Sequence, residues 1–361
     1  VSCAIEYHID AVKTYIENRK KNQIKPEIIN QDIRKINGKT IFNKISKLHG
    51  NDINIDLIIG GPPCQGFSIR GKRKLDDIRN SLVFEYFRII EELQPSLFLF
   101  ENVPGLINKN NSKILNQILN RIDSLGYHYN AGILLASDYG VPQNRHRFII
   151  IGNKYGENSK FPNSSCKAQS RDFCKKSSIN KPKYNRIKYY RKKITVKQAI
   201  DDIAIDSVQK SPIEYIYKPN SKYQREIRSA ASKIYNHKTR NHSKKVIERF
   251  KFMKPGDGPD VLPEEYKVKR RTMIRILPDK PSRTVTSCNE DFIHYSKDRI
   301  LTVREMARLQ SFPDDYVFYG TRTTGSSRRR TSCCQLQQVG NSVPPILAQK
   351  IGEAIMSQYF S

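Results

Sequence analysis

Long apolar runs are missing from this 361-residue chain: no uninterrupted hydrophobic stretch exceeds about six residues, which is too short to cross a bilayer. A secretory leader pattern is missing too, and the first residue is Val rather than Met, which leaves the true N-terminus open. No Cys-x-x-Cys occurs. The seven cysteines are odd in number and irregularly placed, with Cys166 and Cys174 eight apart and Cys333 next to Cys334. That spacing argues against a disulfide framework and against a zinc module, and it points to a reducing, cytoplasmic compartment. Acidic residues are scarce beside basic ones, 35 against 64, for a formal charge of +29. Much of that excess falls between Ile151 and Arg275, where 32 Lys and Arg face 12 Asp and Glu. A block this basic reads as a phosphate-binding surface, each duplex phosphate contact adding about 0.9 to the salt slope. The plainer alternative is a solvated Lys-rich surface in a chain also rich in Asn and Ile.

What the chain does have is clear punctuation around short β-branched runs. Residues 1–203 alternate strand-like and amphipathic helical stretches, the pattern of an α/β domain. Leu82, Phe84, Phe87, Ile90 and Leu93 share helical spacing, as do Ile114, Leu115, Ile118, Leu119, Ile122 and Leu125 ahead of Gly126. Strands are expected at 131–136 and 147–152. Thr195-Val196-Lys197-Gln198 and Thr302-Val303-Arg304-Glu305 have the form of capping boxes. Residues 160–194 read as a long basic surface loop with Tyr184, Tyr189 and Tyr190 interleaved. From 204 to 337 periodicity is poor and turns such as Lys254-Pro255-Gly256-Asp257-Gly258-Pro259 intervene. The expected division is therefore 1–203, completed by 338–361, for one domain, and 204–337 for a second, smaller one. No internal repeat is visible.

The sharpest signal lies at 55–68. Ile55-Asp56-Leu57-Ile58-Ile59 has the pattern of a buried strand and is halted by Gly60-Gly61-Pro62-Pro63. In an open parallel sheet, the carboxyl ends of strands are where ligands sit. The loop that follows carries Cys64, Gln65, Gly66, Phe67 and Ser68. Alone, it reads as a structural cysteine in a tight turn. It does not stand alone. Leu97-Phe98-Leu99-Phe100 ends in Glu101-Asn102-Val103-Pro104-Gly105, and Gln143-Asn144-Arg145-His146-Arg147 leads into Phe148-Ile149-Ile150-Ile151-Gly152. Leu301 to Pro313 and Gln338-Val339-Gly340-Asn341-Ser342-Val343-Pro344-Pro345 follow. In content and order these five blocks resemble the motifs of the bacterial DNA (cytosine-5) methyltransferases, over nearly the whole chain apart from its middle third.

That resemblance implies a Rossmann-like S-adenosylmethionine-dependent methyltransferase sheet, with 204–337 as the target-recognition domain. It implies methyl transfer to C5 of a flipped-out cytosine in a specific double-stranded DNA sequence, in a restriction-modification system with a companion endonuclease. The enzyme would be cytoplasmic and nucleoid-associated. Cys64 would add to cytosine C6, a split-step covalent catalysis. Glu101 would hold ring N3, its carboxyl pKa raised by burial. Arg145 would hold the base and Arg147 would give support, with structural ion pairing as the alternative for Arg147. Gln65, Ser68 and Arg70 would fill the gap left by the extruded base or grip the backbone. Glu6 would bind the ribose hydroxyls of S-adenosylmethionine. Asp32 and Ile33 would contact its adenine, and Pro62, Leu82, Asn341 and Val343 would line the remainder. The Phe-x-Gly-x-Gly loop that opens the family does not precede Val1. A shortened chain, omitted residues and a degenerate relative are the three explanations, and true absence of the loop would weaken donor binding severely. Two further readings stand beside the first: an RNA cytosine-5 methyltransferase and a catalytically silent DNA-binding relative.

Overall fold

Glycines and prolines mark where the strands stop. A computed structural model describes residues 2–20, 26–63, 81–108, 111–164, 171–173, 192–206, 211–323 and 332–360. Strand β1 (Cys3–Ile5) pairs in parallel with β2 (Glu27–Ile29), Ile5 opposite Ile29, with helix α1 (Ile9–Lys20) between them. Helix α2 (Gly38–His49) precedes β3 (Leu57–Gly60), α3 (Ser81–Leu93), β4 (Leu97–Asn102), α4 (Ser112–Ser124) and β5 (His128–Leu135). Then come β6 (Gln143–Asn144), β7 (His146–Asn153) and β8 (Arg171–Phe173). The larger sheet runs β3-β4-β7-β5-β8; β3 and β4 are parallel and the other neighbours antiparallel. Strand β7 runs against β5 because residues 136–145, which join them, are too few for the crossover that parallel strands need.

Strand β4 shows how the sequence builds the core. Its side chains alternate between faces. Phe98 and Phe100 meet Phe87 of α3, Ile118 and Ile122 of α4, and Tyr127. Leu97 and Leu99 face the other way, onto Ile149 and Ile151 of β7 and onto Leu347, Ile351 and Ile355 of the last helix. Burial on both faces explains its unbroken apolar run, and each such side chain contributes about 1.5–3 kcal/mol. Gly152 faces Phe98, whose ring would lie 2.0 Å from any Cβ there.

Strand β3 is not the buried strand its sequence suggests. Among the described residues it pairs only with β4, and Ile59 is 62% exposed. An edge strand has one flank without a neighbour to cover it.

The second half comprises α5 (Val196–Ile200), β9 (Ile213–Glu214), α6 (Lys222–Arg228), β10 (Lys233–Ile234), α7 (Lys244–Lys251), β11 (Ile274–Arg275), β12 (Ser282–Arg283), β13 (Phe292–Ile293) and α8 (Val303–Leu309). Helices α9 (Gln335–Asn341) and α10 (Pro345–Tyr359) follow. Both capping boxes form, at Thr195 with Gln198 and at Thr302 with Glu305. Packing changes partner at places other than residues 203 and 338. Val196, Ala199, Ile200 and Ile203 join the second core, and so do Leu336 and Val339 of α9. Among the described helices of this half, only α10 returns to the sheet. The apolar side of the capped helix α5 meets Tyr223 and Ile227, which the sequence pattern alone did not connect to it. No described helix is long and apolar enough to cross a membrane.

Candidate active site

Two strand ends meet at a carboxylate. Glu101 is the fifth residue of β4, and Gly60-Gly61 ends the neighbouring β3. A Cβ at Gly60 would lie 2.2 Å from the Tyr86 ring, and one at Gly61 would lie 2.9 Å from Glu101 Oε2. The double glycine thus admits an aromatic ring on one side and the carboxylate on the other. The next residue is fastened as well: Asn102 Nδ2 donates to Pro62 O at 3.2 Å, and Asn102 Oδ1 accepts from Val103 N at 2.8 Å. Pro63 closes the described part of this loop. Cys64, Gln65, Ser68 and Arg70 lie outside the described residues.

Glu101 forms a buried ion pair with Arg147, Nε to Oε1 at 2.6 Å. Burial raises the Glu101 carboxyl above its ordinary value of 4.5; Arg147, and then Arg145, oppose the rise without cancelling it. A second Arg147 contact, from Nη1 to His146 O at 2.8 Å, fixes the side chain. Arg145 is placed differently from its expected role. It is 1% exposed, and its Nη1 donates to Val285 O at 2.9 Å. Its Nη2 donates to Gly340 O at 2.8 Å and Ser342 O at 3.1 Å. Its guanidinium is committed to the main chain, so the assignment of Arg145 to the base is revised; Arg147 is the cation at the carboxylate.

Gly340 is packed against the main chain of the second half, where a Cβ would lie 2.5 Å from both Thr286 C and Ser287 N. Gln143 and Gln310 join the same junction. Val285 N donates to Gln143 Oε1 at 2.7 Å, Gln143 Nε2 donates to Leu309 O and to Gln310 Oε1, and Gln310 Nε2 donates to Val339 O at 3.0 Å and Ser342 O at 2.9 Å. The sequence reading missed both glutamines. Their presence in two of the five blocks was the available signal.

The other expected residues lie past the ends of β1 and β2 and at the chain's C-terminal block. Glu6 directly follows β1 and accepts from His8 N through Oε1 at 2.8 Å. Asp32 caps a short 3-10 turn at Ile33–Lys35, accepting from Arg34 N at 3.0 Å and pairing with the Arg34 guanidinium at 2.5 Å. That pairing outweighs desolvation and lowers the Asp32 carboxyl pKa. Ile33 packs at the margin of the cluster formed by Ile29, Ile36 and Ile41. Leu82 is half-buried near the start of α3, Asn341 is exposed at the end of α9, and Val343 packs against the sheet cluster. Tyr7, which the sequence reading passed over, follows Glu6 and is 60% exposed; an aromatic beside a strand-end carboxylate was its signal.

The sequence profile described as C-5 cytosine-specific DNA methylase matches residues 1–357. The chain belongs to that family. It is 34% identical over 348 residues to the type II methyltransferase M1.HphI of Haemophilus parahaemolyticus, covering 95% of this chain and 78% of that one. It is 33% identical over 376 residues to the type II methyltransferase M.DdeI of Desulfomicrobium norvegicum, covering 99% and 83%. Among solved structures, a prophage-encoded protein of E. coli described as a DNA modification methyltransferase superposes with a TM-score of 0.72 at 27% identity, covering 100% of this chain and 93% of that one. DNMT2 of Spodoptera frugiperda shares the fold at a TM-score of 0.53 and 15% identity, covering 99% and 92%. The protein is thus a DNA (cytosine-5) methyltransferase, of a family that uses S-adenosylmethionine. The residues present fit that donor. Glu6 offers a strand-end carboxylate suited to ribose hydroxyls, and Tyr7 offers an exposed ring beside it.

Proposed function

We propose that this methyltransferase modifies cytosine through a covalent Cys64 adduct, with Glu101 and Arg147 as the groups that hold the base. The observation that carries this reading is the buried Glu101–Arg147 pair, one residue from the Asn102 contact that anchors Pro62, which precedes Cys64 by two positions in the sequence. A carboxyl whose pKa is raised can donate to ring N3 or share its proton, drawing electrons from C6. The Cys64 thiolate then adds to C6, and the electron pair moves to C5. S-adenosylmethionine supplies the methyl group that C5 takes up. Removal of the C5 proton expels the sulfur and restores the ring. Arg147, which keeps the Glu101 carboxylate oriented, would hold the base at O2.

Glu6 and Tyr7 would hold the ribose and adenine of the donor, with Ile33, Pro62, Leu82, Asn341 and Val343 around it. Asp32 would share its carboxylate between Arg34 and the adenine amine. Residues of the second half, chiefly 204–337, would read the target sequence, while Gln65, Ser68 and Arg70 would contact the DNA from which the base is drawn. A companion endonuclease acting on the same site fits the type II names of the relatives.

The test is bisulfite sequencing of DNA from cells expressing the full-length protein, which reports activity and target site together. Cys64→Ser should abolish methylation while leaving sequence-specific binding intact. Duplexes carrying 5-fluorocytosine should trap the wild-type protein covalently when donor is present. Trapping of a Cys64→Ala variant would overturn the assignment. Methylation of transfer RNA in place of duplex DNA would favour the RNA reading.

A further inference from the structure

We propose that Arg145 is a positioning residue that couples occupancy of the methyl-donor site to capture of the target base. The inference rests on the placement of Asn341 at the donor and Glu101 with Arg147 at the base. Three observations lead to it. First, the two carbonyls that accept from Arg145 Nη2, those of Gly340 and Ser342, flank Asn341 on either side. Second, Nη1 is held by Val285 of the second half, next to the Thr286-Ser287 main chain against which Gly340 is packed. Third, Arg147 lies only two residues further along, clasping Glu101. One rigid fork therefore touches the C-terminal block, the second half and the strand that carries the base contact.

The contacts close into a ring: Arg145 to Val285, Val285 to Gln143, Gln143 to Gln310, Gln310 to Ser342, and Ser342 back to Arg145. Arg145, Gln143 and Gln310 are each essentially without solvent exposure. Among the described residues no carboxylate lies within ion-pair distance of Arg145; three carbonyls accept its hydrogen bonds, and Glu101 acts on it from further away. A buried cation held this way loses heavily when any one carbonyl moves. The guanidinium works because its donors lie in a plane at fixed angles; a lysine ammonium offers a single point. A shift of residues 340–342 on donor binding is consequently transmitted to the strand end at Arg147, and by linkage base capture must tighten the donor by the same factor.

The experiment measures that factor. The full-length protein is titrated with a duplex containing its methylated site and 2-aminopurine at the target base, with and without S-adenosylhomocysteine. The wild type should bind the duplex more tightly with the product present, by a factor of about 5–150. In Arg145→Lys the factor should fall to near one, while each separate affinity shifts by far less. Gln310→Leu, which opens the ring without touching the arginine, should lower the factor as well and decides the matter if Arg145→Lys fails to melt cooperatively. An undiminished factor in either folded variant, or no coupling in a wild type that methylates DNA, overturns the proposal alone. A wild type that neither methylates DNA nor binds S-adenosylhomocysteine overturns the underlying reading of the site instead.

Discussion

Glu101 carries the clearest titration consequence. Its folded pKa stands above the ordinary 4.5 because burial outweighs Arg147. A raised carboxyl binds more protons in the folded state, so its contribution to stability is complete below 4.5 and declines as pH rises through the folded value. Catalysis needs the protonated or proton-sharing form, so kcat should fall along the same limb. Glu101→Gln should lower kcat by about 10²-fold or more and flatten that limb, as a pH–rate profile would show. Gly340→Ala should cost about 1–3 kcal/mol or more in a urea midpoint, because its Cβ would enter the main chain of Thr286 and Ser287. Much of the site was legible in the residues: Glu101 and the two glycines sit at strand ends, where local punctuation shows them. The division of labour between Arg145 and Arg147 was not. Both alternate on one short stretch, and only the partners of each, 140 or more residues away for Arg145, tell them apart.

Helix α1 fastens the first strand pair to the second half through two buried polar side chains one turn apart. Asn18 meets the Val317 main chain as a strand would, donating to its carbonyl and accepting from its N–H, both at 2.8 Å, and Thr14 Oγ1 accepts from Tyr319 N at 2.9 Å. Asn18→Ala leaves two Val317 groups unpaired and should cost roughly 1–3 kcal/mol in a urea midpoint. Helix α8 is locked by Glu305. Burial alone would raise that carboxyl, but Arg299, followed by His294 and His237, holds it well below its ordinary value. Its stabilisation is therefore present above about 4.5 and is lost as pH falls. Glu305→Gln should destabilise the protein by about 3–5 kcal/mol at neutral pH and blunt its acid unfolding, which melting curves across pH would record. The long helices and both capped starts follow from periodicity and caps, which act within a few residues. The two-residue strands β9 to β13 and the reversal of β7 do not, because they depend on partners remote in sequence.

For the molecule as a whole, charge outweighs any single contact. The excess of basic residues should make DNA affinity fall steeply with salt. Not every lysine shares in this. Lys193 is held by Asp138 at 2.9 Å and by Ser137, so Lys193→Gln should leave the salt slope unchanged. Lys181, Lys183 and Arg186 lie in the basic segment outside the described residues; replacing all three should lower the slope by up to about 0.9 each. Binding isotherms at several salt concentrations separate the two outcomes. The sequence loses its periodicity near residue 204, but composition cannot register that α5 and α9 pack with the later core.

The order of synthesis gives Arg145 a further significance. Its acceptors at Val285, Gly340 and Ser342 leave the ribosome 140, 195 and 197 residues after it does. At about 5–20 residues per second, that interval is roughly 10–40 seconds. Throughout it the Arg145 guanidinium lacks the carbonyls that hold it in the folded chain, so the reactive centre matures only after residue 342 has been added.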